Sequence, residues 1–146
     1  YLGSTTGLSY TVNTQGNITA YVKAVDNYFA ETSSDALAFN NDGTPPSNVT
    51  GLNYRVLQNG SEATGVALDW NQSTDNAGGS GIAGYKIYVN GSFYTFSPDP
   101  SYVILKSTAS LPGTTQIFSV TAMDKEGNES PLSAAPSTSG VSFDIS

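Results

Sequence analysis

The 146-residue chain contains no cysteine and no histidine. Without Cys there can be no disulfide, thiolate metal ligand or thiol nucleophile. Without His the chain lacks the commonest general base and metal ligand, and the middle member of a Ser-His-Asp triad. Charge is also scarce: charged residues make up 12% of the chain, against about a quarter in an ordinary domain. Positive charge is scarcest, with 5 Lys and Arg against 12 Asp and Glu, a net charge of −7 and a pI near 4.1. A basic footprint is therefore missing, so nucleic acid is not an expected partner. No apolar run approaches the roughly 20 residues of a membrane helix, and membrane insertion is not expected. The start, Tyr1-Leu2-Gly3-Ser4, has neither Met nor a signal peptide, so the numbering is expected to begin partway along a longer polypeptide.

What is present reads as strands. Short runs alternate with a period of two and are bounded by Gly, Pro, Asn and Asp. Val66, Leu68 and Trp70 share one face of one run; Tyr85, Ile87 and Val89 share one face of the next. Asn90-Gly91 then marks a tight type I′ hairpin. Gln116, Phe118, Val120 and Ala122 form a later inward row. The segment from Ala20 to Asn27 also overlays the segment from Phe118 to Lys125 at a constant offset of 98 residues. That is one module length for an immunoglobulin-like sandwich. Residues 1–43 are accordingly expected to be the last strands of a preceding module, with Asp42-Gly43-Thr44-Pro45-Pro46 as the junction. Residues 44–139 are expected to form a complete module, and 140–146 a strand extension or a linker. Three terminal strands alone leave Leu8, Tyr10, Val12, Ile18 and Val22 needing a cover, from upstream sequence or from another subunit.

Four pieces carry a family resemblance: Thr44-Pro45-Pro46-Ser47; the Trp closing Val66-Ala67-Leu68-Asp69-Trp70; Gly84-Tyr85-Lys86-Ile87-Tyr88-Val89; and the run from Val120 to Ser130. In that order they resemble a fibronectin type III module of bacterial or phage type, in tandem with a partial first copy. The resemblance implies an all-β, seven-stranded antiparallel Greek-key sandwich with Trp70 packed beside Tyr85. It places a corner Leu at Leu111, followed by Pro112-Gly113-Thr114, and puts Gln116 (Ile18 in the first copy) where the family has a corner Tyr. It also implies a spacer, sometimes an adhesive or carbohydrate-contacting one, on secreted hydrolases, surface adhesins or phage tails. The integrin-binding Arg-Gly-Asp is absent, since the one Arg is Arg55.

Candidate chemistry is thin. Gly79-Ser80-Gly81-Ile82-Ala83-Gly84 matches GxGxxG, but a dinucleotide site needs that loop to follow a strand and open a helix, and here a strand follows. The acids Asp42, Asp75, Asp124, Glu126 and Glu129 all fall in turn-like segments, which suits solvated turns better than a hydrolytic pair. No organic cofactor is expected. Calcium is the ion with candidate ligands, Asp124, Glu126 and Asn128 in one loop, with Asp42 and Asp75-Asn76 as a second group that could meet at the junction. Turn formation by Asp and Asn accounts for the same residues. Tyr28 and Phe29 occupy a loop where the second copy has Glu126-Gly127. Adjacent exposed aromatics suit a neighbouring domain or subunit first, and a glycan second. Tyr88 and Tyr94 are placed on the outer face beside Asn90-Gly91, as a cross-strand pair. The Asn-x-Ser/Thr sequons at Asn17, Asn48, Asn59, Asn71, Asn90 and Asn128 are unremarkable in a chain this rich in Ser and Thr.

The expected function is non-catalytic: a spacer or presentation module of a larger extracellular or virion-surface protein, with adhesion as an extension. Two readings stand beside it, a structural component of a phage tail or capsid fibre and an accessory module of a secreted polysaccharide hydrolase. Expected partners are adjacent domains of the same chain or neighbouring subunits, with a glycan as the other contact.

Overall fold

The computed structural model describes residues 3–7, 9–12, 15–107 and 115–142. Leu8, the corner Leu111 with Pro112-Gly113-Thr114, and Phe143, Asp144 and Ile145 lie outside that range. The chain is all-β and antiparallel. β1 (Gly16–Ala20) pairs with β4 (Leu37–Asn41), and β2 (Lys23–Val25) pairs with β3 (Glu31–Ser33), making one long hairpin. The rest is an immunoglobulin-like sandwich. Its first sheet is β5 (Thr50–Asn59), β6 (Glu62–Asn71) and β9 (Ser101–Leu105), in the order β5-β6-β9. Its second is β7 (Ile82–Val89), β8 (Ser92–Ser97) and β11 (Phe118–Asp124), in the order β11-β7-β8. β10 (Thr115–Gln116) pairs with β12 (Val141–Ser142) as a separate two-stranded sheet, just ahead of β11 in the chain.

Period-two alternation decides which side chains enter the core. Val66, Leu68 and Trp70 of β6 and Ile104 of β9 face Tyr85, Ile87 and Val89 of β7 and Phe118, Val120 and Ala122 of β11, all buried. Trp70 and Tyr85 meet edge to face, with ring centroids 5.3 Å apart and planes at 71°, a geometry the ring quadrupoles favour. The Tyr85 hydroxyl is satisfied by the Ser73 amide at 3.0 Å.

Asn90 (φ 51°) and Gly91 (φ 80°) both take left-handed backbone, as a type I′ turn requires. Asn90 also has a second task. Its Nδ2 donates to Oε1 of the fully buried Gln116 at 2.8 Å, and its Oδ1 accepts from the Ile117 amide at 2.9 Å. Where the family has a corner Tyr, this chain ties the start of β11 to the β7–β8 turn with an amide pair. Asn90→Ala loses both bonds and a residue tolerant of positive φ, an expected cost of about 2 kcal/mol. A urea midpoint shifted down at unchanged m would show it.

The N-terminal hairpin is built differently. Val22 is 71% and Leu37 65% exposed, so the side that corresponds to the second copy's core is open. Nevertheless, its turn repeats the second copy bond for bond. Asp26 Oδ1 accepts from the amides of Tyr28 (2.8 Å) and Ala30 (3.0 Å); Asp124 Oδ1 accepts from those of Glu126 (2.9 Å) and Asn128 (2.8 Å). The amides of Asp26 and Asp124 donate to the carbonyls of Ala30 and Asn128. Phe29 (φ 63°) stands where Gly127 (φ 89°) stands. Lys23 bonds Glu31 at 2.7 Å where Thr121 bonds Glu129 at 2.6 Å. Every second-copy residue is numbered 98 above its counterpart.

Candidate functional site

The densest polar arrangement lies where the hairpin enters the sandwich. Three segments distant in sequence meet there: the end of β4 with Asp42, the β6–β7 loop with Asp75 and Ser80, and the turn after β11 with Asp124 and Asn128. One carboxylate oxygen from each of Asp42, Asp75 and Asp124 lies within 4.8 Å of the others, with Asp42 and Asp124 buried. Three like charges this close repel strongly, so the surroundings must compensate.

Backbone amides supply the compensation. Asp42 Oδ2 accepts from Ser80 N at 2.9 Å and Oδ1 from Thr44 N at 3.0 Å. Asp75 Oδ2 accepts from Gly81 N at 2.6 Å. Asp124 Oδ2 accepts from Asn128 Nδ2 at 2.7 Å, in addition to its two amides. The amides of Ser80 and Thr44, in that order, hold the Asp42 carboxyl below the usual carboxylate range. The glycines make this approach feasible: Gly81 has φ 85°, and a Cβ on Gly79 would lie 2.6 Å from Asp75 Oδ2. Two further bonds cross the joint, from Asn128 Nδ2 to the Asp42 carbonyl (2.9 Å) and from Asn40 Nδ2 to the Gly78 carbonyl (3.1 Å). The arrangement is a clasp fixing the hairpin to two loops of the sandwich. Its donor set of three hard carboxylates is also of the type calcium takes.

The sequence-predicted residues distribute as follows. Asp42 and Asp75 do come together, with Asp124 as the third carboxylate. Asp124, Glu126 and Asn128 do not form a cage by themselves, because Glu126 is exposed and Asn128 turns its amide nitrogen, a donor, toward Asp124 and Asp42. Ser80, Gly81 and Asn40 were not anticipated; the available signal was Gly79-Ser80-Gly81, a run whose backbone can approach a carboxylate closely. Tyr28 and Phe29 sit side by side at the hairpin tip, 92% and 86% exposed. Tyr88 lies on the outer face of the second sheet, but Tyr94 does not. A bulge between the Ile87–Thr95 and Tyr88–Phe93 pairs leaves Tyr94 unpaired, and its ring packs against the core. The ring that meets Tyr88 is Phe93, at 6.0 Å and 74°.

On that outer face Glu129 gathers three donors, each at 2.6 Å: Lys86 Nζ, the Tyr88 hydroxyl and Thr121 Oγ1. Burial pushes the Glu129 carboxyl up, but the bonds from Lys86, Thr121 and Tyr88 outweigh it and hold the group below its usual value. Burial, followed by the bond to Glu129, pushes the Tyr88 phenol up from 10.0 to about 12. A carboxylate depressed on folding stabilises the fold above its unfolded pKa, and that contribution fades as pH falls through the lower folded value. For Glu129 and Asp42 the loss therefore begins below about pH 4.5. The Tyr88 contribution is full below pH 10 and fades as pH rises through about 12. Melting temperatures taken from pH 7 to pH 2 should fall, and fall less steeply in Glu129→Gln than in the parent.

No protein-family model matches the chain. Its relatives include chitinase Chi52 of Paenibacillus xylanexedens, 39% identical over 94 residues, 64% of this chain and 16% of the relative. Exoglucanase B of Cellulomonas fimi is 31% identical over 140 residues, 93% of this chain and 13% of the relative. Among solved structures, the spore cortex lytic enzyme SleM of Clostridium perfringens matches with TM-score 0.50 and 26% identity, over 64% of this chain and 27% of that one. The chain thus spans about a sixth or less of the length of these two curated relatives. No helix among the described residues is long and apolar enough to cross a membrane. Sandwich topology, motif order and relatives agree with a bacterial fibronectin III-like module.

Proposed function

We propose that the chain is a non-catalytic accessory module of an extracellular polysaccharide-degrading enzyme, holding neighbouring domains at a fixed spacing and angle. The observation that carries this reading is that the relatives are chitinases and glucanases of which the chain matches only a small part. Those names favour the accessory-module reading over the virion and adhesive ones. We read residues 1–43 as the closing strands of a preceding module, 44–139 as a complete module, and 140–146 as an extension or linker. The turn repeated at an offset of 98 supports that division, as does a match to exoglucanase B long enough to include most of the hairpin. In this role the clasp at Asp42 sets the angle between units. The adjacent domains of the same polypeptide are the partners.

The test is deletion of this segment from its full source polypeptide. Turnover of soluble oligosaccharides should persist, while turnover of insoluble polysaccharide falls. Loss of soluble turnover would make the segment part of the catalytic unit. A source polypeptide that assembles into a symmetric particle without hydrolase activity would return the virion reading.

A further inference from the structure

We propose that the outer face of the β8-β7-β11 sheet binds a neutral β-linked polysaccharide chain, with Phe93 and Phe96 as the stacking rings. This names the ligand class of the module and rests on the accessory-module reading.

The face is made by two local irregularities. First, the bulge at Tyr94 rotates that ring into the core and leaves Phe93 and Phe96 both pointing outward, although they are three residues apart. Re-aiming a side chain is what a bulge does to a strand. Second, Gly84 leaves the room that Phe96 occupies: a Cβ built on Gly84 would overlap the Phe96 ring, which therefore lies against the sheet over the glycine. Phe93 is 58% and Phe96 38% exposed, on a strand that forms the edge of its sheet. Their partners across the ladder, Tyr88 and Lys86, are two residues apart, so at about 3.3 Å per residue the two rings stand roughly 7 Å apart along the strand, close enough for one polymer chain to lie across both.

Charge selects the occupant. The outward positions of this face are Gly84, Lys86 and Tyr88 on β7, Phe93 and Phe96 on β8, and Ser119, Thr121 and Met123 on β11. Lys86 is their one charge, and Glu129 neutralises it at 2.6 Å. The patch is thus electrically neutral on a chain of net charge −7. A cationic partner is drawn elsewhere on the chain, and an anionic one is repelled by it. A polymer with apolar C–H ring faces and uncharged hydroxyls fits: its ring faces meet the electron-rich faces of the Phe rings, and its hydroxyls can reach the Lys86–Glu129–Tyr88 group and the Ser119 and Ser137 hydroxyls, themselves paired at 2.8 Å. Tyr28 and Phe29 are less suited. The turn repeated 98 residues later is the one that touches the preceding segment through Asn128 and Asp42, which makes their tip a joint surface.

The whole 146-residue chain is mixed with insoluble chitin and with microcrystalline cellulose, and depletion from the supernatant is measured. The expected result is depletion on at least one polymer, reduced about tenfold or more in affinity by Phe93→Ala with Phe96→Ala, and unchanged by Tyr28→Ala with Phe29→Ala. A titration of the parent chain with a soluble chito- or cello-oligosaccharide, followed by NMR, guards against misfolding of the variants; it should shift Phe93, Phe96 and Tyr88. No depletion on either polymer overturns the proposal. So does depletion that survives loss of Phe93 and Phe96, or oligosaccharide shifts confined to other residues. Failure here leaves the deletion test on soluble substrates untouched, so the two readings fall separately.

Discussion

Trp70→Ala is expected to lower stability by about 3–5 kcal/mol, a large part of the roughly 5–15 kcal/mol available to a domain. The indole is buried between the two sheets and set edge-on against Tyr85. Its removal opens a cavity at the level where β6 and β7 face one another. Neither strand can move in to fill it, because β6 is paired on both sides, with β5 and β9, and β7 on both sides, with β8 and β11. Urea unfolding followed by tyrosine fluorescence would measure the loss. An unchanged melting temperature would remove Trp70 from the core. Trp70→Phe, which keeps a ring against Tyr85, should recover a substantial part of the loss.

Asp124→Ala should be the next most damaging change, at about 2–4 kcal/mol. The carboxylate is 1% exposed and accepts from the Glu126 and Asn128 amides and from Asn128 Nδ2. Removing it leaves partly buried donors unpaired, the costly direction in which to break a hydrogen bond. The repeat supplies an internal control. Asp26 accepts from the equivalent two amides on an exposed hairpin, where water can replace the lost acceptor, so Asp26→Ala should cost a small fraction as much in the same urea titration. Equal effects would mean that burial is not what separates the two turns.

The sandwich was legible because its signals are local. Alternation along Val66-Leu68-Trp70, Tyr85-Ile87-Val89 and Phe118-Val120-Ala122 fixes which side faces in, and Asn90-Gly91 fixes a turn within four residues. Tyr94 shows where that logic stops. A single extra residue in β8 reverses the faces beyond it, and nothing in Ser92-Phe93-Tyr94-Thr95-Phe96 marks which residue is the extra one. The clasp was half legible. Asp42 and Asp75 stand out as acids beside a junction and a loop, but Asp124 is joined to them by the closing of the Greek key across more than 80 residues, which no local pattern encodes. The amides of Ser80 and Gly81 were hidden for the opposite reason: a glycine-rich loop looks unconstrained in sequence, yet here its lack of side chains lets the backbone approach the carboxylates.

The clasp also sets how the molecule carries load. A pull along the chain reaches the sandwich through β4 and Asp42, and Asp42 is bonded to Ser80 and Asn128, which lie beyond β6 and β11. Tension is therefore shared between loops that belong to both sheets, and β5 is not peeled from β6 one rung at a time. Bonds loaded together in shear resist more force than the same bonds opened in succession, so the joint carries a pull as a tie rod would.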